Sequence, residues 1–299
     1  MNWFKIRYNK KSAKKYGWTP SWFGSKEFDN DLIENIKEFQ RLHDLKADGL
    51  CGPATHRRAY TNKLVYIDDR EDAIMTENKK NRIFCNGIPV SIKWDKIEIS
   101  WINSKCYSKV KGKTRKPTMV VTHWDATLSA ASCKRILEKR KISTHFVIDN
   151  DGTIVQLVDP QDVAWHAGIR RVNKASVGID FSNAVYTKYN KAYSKKGFGL
   201  RPVIDGWRVH GWRPKPFLGA YPVQVEAYKA LLEALNRHYD IPLECPLDED
   251  GELLTRVHKP SVRAKFKGVV NHYNLSKKKW DTLGLELDKI LEEIRLNKD

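Results

Sequence analysis

With 299 residues, 41% hydrophobic and 30% charged, the chain is long enough to bury one large core or two of unequal size, and its composition excludes a disordered protein. The formal net charge of +18 implies an anionic partner: nucleic acid, an acidic membrane surface or an anionic wall polymer. The five cysteines, Cys51, Cys85, Cys106, Cys133 and Cys245, are odd in number and form no CxxC pair, which argues against a disulfide scaffold or a cysteine-built zinc site and for reduced thiols.

In chain order, Met1 to Tyr8 carries charges with no apolar stretch behind them, so no signal peptide is expected. No apolar run approaches the length of a membrane span. Residues 1–64 read as a small helical domain whose compact part starts near Tyr16. Asp29 or Asn30 can cap a helix in which Leu32, Ile33, Ile36, Phe39 and Leu42 follow the helical period. Ala47-Asp48-Gly49 is a turn, and Gly52-Pro53 opens a second short helix to Tyr60, with proline in the first turn. Residues 65–81 are charged, aperiodic and read as a linker.

From 82 to 299 strands and helices alternate. Thr118 to His123 is a buried strand by its β-branched run, and Leu128 to Lys141 is a helix that Ser129 can cap. Thr144–Ile148 and Thr153–Val158 flank Asp149-Asn150-Asp151-Gly152, a strong hairpin signal. In Ser176–Phe181, Val177, Ile179 and Phe181 share one face, and Ser176, Gly178 and Asp180 share the other. Val223–Tyr239 and Thr282–Leu296 are amphipathic helices. The expected fold is α/β: a mixed central sheet flanked by helices, preceded by the small helical domain.

Three residues far apart in sequence suggest chemistry together. His123 ends an apolar strand, where an open α/β sheet presents its ligand-binding edge; His272 follows the apolar step Gly268–Asn271, and Asp281 lies nine residues on, behind a basic loop. Two imidazoles and a carboxylate are the donor set of a hydrolytic zinc, with a fourth position for water. Taken singly, each is better explained as a strand-end polar residue or, for Asp281, a helix cap. His210 and His258 are rivals by type, but their spacing does not recommend them.

The segment Val120 to Asn183 resembles the zinc-dependent N-acetylmuramoyl-L-alanine amidases of the phage-lysozyme and peptidoglycan-recognition type. The resemblance rests on Val121-Thr122-His123-Trp124, Ser143–Ile148, Asp151–Gln156, Ala164-Trp165-His166-Ala167-Gly168 and Ser176–Asp180, with His272 and Lys279-Trp280-Asp281 as the late piece. It covers most of the chain from Arg82, with an apparent insertion at Asn190–Leu218 whose role the sequence leaves unread. It implies one zinc held by His123, His272 and Asp281, with Lys279 set against the oxyanion of the attacked amide. The family's glutamate and tyrosine positions fall on Asp180 and Thr144. Threonine cannot take up a proton at neutral pH, so Asp180 is the candidate general acid/base, or else a turn residue before Ser182. Thr144, His145, Trp165 and His166 are expected to line the substrate groove, with core packing the alternative for His145 and Trp165.

The N-terminal stretch is similar to the helical peptidoglycan-binding domain often joined to such enzymes, through Phe39, Gln40, Asp48, Gly49 and Gly52-Pro53-Ala54-Thr55. Together these imply a monomeric phage endolysin made in the host cytoplasm, which reaches peptidoglycan and anionic envelope polymers after the membrane is breached. Nucleic acid is not expected as a partner, since no recognised motif for it is present. The alternatives are a recognition protein that does not cut and another zinc peptidase acting on the stem peptide.

Overall fold

The computed structural model describes residues 2–43, 45–59 and 81–296 and divides into two compact units, 1–77 and 78–299. The expected linker, apart from Asn81, lies outside the described residues, as does Tyr60. No helix among the described residues is long and apolar enough to cross a membrane. All five cysteines are free thiols.

In the first unit, helix α1 spans Trp3–Tyr16, α2 Asn30–Leu42, and α3 residues 53–59. Of the two candidate caps, Asp29 serves α2, its carboxylate accepting from Leu32 N–H at 2.9 Å. Helix α1 is an element the sequence analysis does not assign. It buries Asn9, Ser12 and Ala13 rather than an apolar stripe, so hydrophobic periodicity has nothing to detect. Asn9 instead holds the backbone of the turn, donating to Gly49 O (3.0 Å) and accepting from Cys51 N–H (2.8 Å).

Trp18, Phe23, Leu32, Ile36 and Cys51 form the apolar centre, with Phe39 packed against it. Gln40 is the polar centre. Its amide donates to Asp48 Oδ1 (3.0 Å), Thr55 Oγ1 (3.0 Å) and Leu50 O (3.2 Å), and its carbonyl accepts from Gly49 N–H (2.8 Å). Gly49 has φ +73°, and a Cβ there would stand 2.7 Å from Ile33 Cγ2, so only glycine fits this turn. Phe39, Gln40, Asp48 and Gly49 therefore build the module from within.

The second unit opens with a two-stranded ribbon, β1 (Arg82–Cys85) and β2 (Ile88–Ser91), followed by β3 (Ile97–Ile99) and β4 (Tyr107–Ser108). Then come β5 (Met119–Trp124), α4 (Ala130–Arg140), β6 (Phe146–Ile148), β7 (Ile154–Gln156), β8 (Val163–Ala164), α5 (Arg170–Ala175) and β9 (Ser176–Phe181). After α6 (Asn190–Lys195), β10 (Val203–Ile204) and β11 (Phe217–Leu218), the chain ends with α7 (Pro222–Tyr239), α8 (Lys259–Val262), β12 (Gly268–Asn271) and α9 (Leu287–Leu296). The main sheet has six strands in the order β12-β5-β9-β6-β7-β3, and only the β6–β7 hairpin pair is antiparallel. The mixed sheet flanked by helices is the expected fold class.

Strand alternation divides the core between the two faces. Val120, Val177, Ile179, Phe181 and Val269 pack with α7 and α9. On the other face Met119, Val121 and Val270 meet Val172 of α5, and Val147 meets Cys133 and Leu137 of α4. The last helix begins at Leu287 rather than Thr282, because Gly284 takes φ +80° and Thr282 bonds its hydroxyl to Asn271. The insertion is anchored by Arg201, whose guanidinium lies between the Tyr193 and Tyr221 rings (4.5 and 4.4 Å to their centroids) and donates to Gly219 O at 2.7 Å.

Gln40→Ala leaves several buried groups of the first unit unpaired and is expected to cost about 2–3 kcal/mol. In the full chain, hydrogen exchange at the Gly49 amide should accelerate; unchanged protection there would show that Gln40 does not hold the turn.

Candidate metal centre and groove

Strands β12, β5 and β9 are neighbours and parallel, so their C-terminal ends share one edge. Asn271 pairs with Thr122 and His123 with Asp180. That register sets His272 on one side of His123 and Asp180 on the other. Asp281 returns to the same edge through a turn in which Tyr273 N–H donates to its carbonyl at 3.0 Å.

The three predicted ligands converge. His123 Nδ1 and His272 Nδ1 are 2.9 Å apart, and Asp281 Oδ2 is 2.8 Å from His272 Nδ1 and 3.4 Å from His123 Nδ1. Among the described residues these three form a group able to hold a metal ion, each offering one atom within 4.8 Å of the others.

The direction of the hydrogen bonds behind His123 follows from one serine. Ser176 Oγ spends its proton on Val172 O at 2.7 Å, so His166 Nε2, 3.2 Å away, must donate to it. His166 Nδ1 is then an acceptor, and His123 Nε2 at 3.0 Å carries the proton between them. His123 Nδ1 is left as a bare lone pair facing His272 and Asp281, the tautomer that a metal ligand needs.

Burial first, and then the facing His272, pull the His123 pKa down to about 4. Burial by itself would raise Asp281, but the adjoining His123 and His272 outweigh it and hold the carboxyl well below its usual range. A neutral imidazole with a free lone pair beside an ionised carboxylate is a donor set that fits zinc with an open position.

Around this cluster lies a groove of about 290 Å³, lined among others by Asp125, Cys133, Trp165, His166, Asp180 and Lys279. Asp180 is 7% exposed, with Oδ2 3.8 Å from Cys133 Sγ. Burial, followed by the charges of Asp125 and Asp281, pushes its pKa well above the carboxylate norm. Lys279 is exposed on the rim. The insertion braces it: His210 Nε2 donates to Lys279 O at 3.0 Å, and Trp280 packs edge-on against Phe217 at 5.2 Å.

Two of the expected groove residues do not reach the groove. His145 is fully buried; its Nδ1 accepts from Gly178 N–H (2.9 Å) and its Nε2 donates to Asp162 O (3.2 Å). Thr144 is 1% exposed beneath Asp180. Their segment enters the sheet at Phe146; backbone groups take both ring nitrogens of His145, and the Thr144 hydroxyl turns to Phe146 O and to Asp180. Trp165 and His166 do line the groove. The rival His258 instead bonds Ser261 Oγ at 2.7 Å.

Sequence reasoning missed Ser176 and Asp125. Ser176 shares the Gly178–Asp180 face by alternation, a signal that was present. Asp125 left none: its carboxylate accepts from Thr127 N (2.8 Å), Asn183 N (2.9 Å), Thr127 Oγ1 (2.8 Å) and Ser182 Oγ (3.1 Å), tying the loop after β5 to the loop after β9.

Gly178 makes room for the relay, since a Cβ there would stand 2.6 Å from His166 Cγ. Gly178→Ala should dislodge the His166 ring and free the His123 tautomer, weakening divalent-metal affinity about 10–100-fold. Metal titration would measure this, with nitrogen NMR of His123 as the control; an unchanged affinity with a displaced ring would remove the relay from the metal site.

Two segments of the sequence match known protein families. Residues 113–282 match the N-acetylmuramoyl-L-alanine amidase family, and residues 14–58 match a peptidoglycan-binding domain. No curated protein matches the chain. Solved structures that resemble it include the N-acetylmuramoyl-L-alanine amidase LysC from Clostridium intestinale URNW (16% identity, covering 67% of this chain and 97% of that one, TM-score 0.40). Others are a mutant endolysin from Bacillus subtilis (17%, 68% and 98%, 0.37) and the Staphylococcus aureus hydrolase AmiA in complex with its ligand (12%, 69% and 86%, 0.43). These likenesses are distant, and the assignment rests on the family match, which spans more than half of the chain. The chain belongs to the N-acetylmuramoyl-L-alanine amidases, enzymes that hydrolyse peptidoglycan.

Proposed function

We propose that the protein is a zinc amidase of the endolysin kind, which cuts the bond between N-acetylmuramic acid and L-alanine to lyse a host cell from within. The observation that carries this reading is the meeting of His123 Nδ1, His272 Nδ1 and Asp281 Oδ2 beside an open groove. His123, His272 and Asp281 would hold one zinc. Bound there, the ion supplies a water acidified towards neutrality and a Lewis acid for the amide carbonyl.

The chain's own residues do the rest. Asp180, facing the same space from β9, takes a proton and returns it to the leaving amine; burial and the charges of Asp125 and Asp281 raise its pKa, which suits a group that holds a proton between the two steps. Lys279 sets a positive charge at the rim, where the oxyanion develops. Trp165 and His166 line the channel for the stem peptide. The N-terminal unit retains the enzyme on peptidoglycan, and the protein works as a monomer delivered through a breached membrane.

His123→Ala and Asp281→Asn should each abolish stoichiometric zinc binding and lower release of L-alanine-terminated peptides by about a thousandfold or more. Metal analysis and mass spectrometry of digested peptidoglycan read both, and full activity in a zinc-free variant would end the proposal. Asp180→Asn should keep its zinc while kcat drops about 10²–10⁴-fold. Wild-type kcat in that variant would return Asp180 to a purely structural role.

A further inference from the structure

A second groove adjoins the first, sharing Trp165 and Ile142 with it, and encloses about 950 Å³. Its character is different. The catalytic groove is lined by Asp125, Asp180 and Asp281, whereas among the described residues no acidic side chain lines the second. Lys109, Lys111, Lys113, Lys116, Arg170 and Lys174 line it instead. All six are exposed, and no ion pair forms between any of them and an acid among the described residues.

The backbone beneath these cations is held firmly. Arg115 is 6% exposed and directs its guanidinium entirely at backbone carbonyls, among them Lys174 O (3.1 Å), Asp162 O (3.1 Å) and Asn173 O (2.9 Å). Val110 N–H donates to Asp162 Oδ1 (2.9 Å), and Gln161 both accepts from Arg115 N–H (3.0 Å) and donates to Lys113 O (2.8 Å). One buried guanidinium thus joins the loop at 109–116 to α5, the two segments that carry the six charges.

We propose that this groove binds a phosphodiester-linked polyol polymer of the cell wall, alongside the peptidoglycan strand being cut. Six uncompensated cations lining one groove call for a polyanion rather than the few carboxylates of a stem peptide. Five of the six are lysines, which meet phosphate as point charges and lack the planar fork that favours carboxylate. A nucleic acid would carry the same phosphodiester, but among the described residues the groove is lined by a single aromatic ring, Trp165, where stacking of successive bases needs several. The location beside the catalytic groove rests on the amidase reading; the binding itself does not.

The test uses the full chain and the quadruple variant Lys109→Gln, Lys111→Gln, Lys113→Gln, Lys174→Gln, with poly(glycerol phosphate) as the probe in titration calorimetry. Wild type should bind with an affinity that falls steeply as salt rises, and the variant should bind at least about 30-fold more weakly with a shallower salt dependence. On peptidoglycan stripped of phosphate polymers both should release peptides at the same rate, while on intact walls the variant should be slower. Equal binding by the variant would overturn the proposal. So would slow cleavage of stripped peptidoglycan, which would make the groove part of the substrate path, or tighter binding of single-stranded DNA of matched charge. A wild type that binds the polymer yet releases no peptide would sink the amidase reading alone.

Discussion

The whole site depends on three parallel strands lying side by side in register. Because β12, β5 and β9 are adjacent, a residue at the C-terminal end of each arrives at one sheet edge. Alternation then sends His123 and Asp180 to the face opposite α7 and α9, where Cys133 and Leu137 of α4 form part of the groove wall. A one-residue slip of β9 would turn Asp180 into the core and bring Ile179 or Phe181 to the groove. The apolar residues that keep the strand in place therefore also aim the chemistry, so packing and catalysis rest on the same register.

A second layer decides the protonation of the first. Ser176 can donate one proton, and Val172 O takes it. Every bond in front is then directional, through His166 to His123, and a lone pair emerges at Nδ1. The serine and the glycine lie on the same strand as Asp180, so β9 supplies both the candidate proton carrier and the group that fixes the ligand's tautomer. Gly178 belongs to this arrangement by its lack of a side chain, which opens the space the His166 ring occupies.

Much of this could be read from sequence wherever an apolar rhythm was interrupted by a polar residue. His123 stands at the end of a fully buried strand, and Asp180 alternates with Val177, Ile179 and Phe181, so both were found. The helix Trp3–Tyr16 was not, because its buried face is Asn9, Ser12 and Ala13. The early start assigned to the last helix missed the left-handed turn at Gly284. His145 illustrates the opposite error: its residue type suggested a groove, but its two ring nitrogens are consumed by backbone groups remote in sequence. Residue type and spacing report which side chains could act. Which of them are already satisfied is a tertiary fact.

The same limit governs the charge. Among 54 lysines and arginines, nothing local marks Arg115 or Arg201 as different, yet these two are buried and bond to the backbone carbonyls that join separate segments. Burying a guanidinium is costly; burial draws Arg115 down to about 10, which still leaves it charged near neutrality. That cost is offset by donors placed on several carbonyls at once, a fork geometry that lysine lacks. Arginine at the two buried positions, and mostly lysine along the groove, follow from this chemistry. A net charge of +18 is therefore not one property of the molecule: part of it holds the loops that shape the groove walls, and the lysines left over along those walls are free to meet an anion.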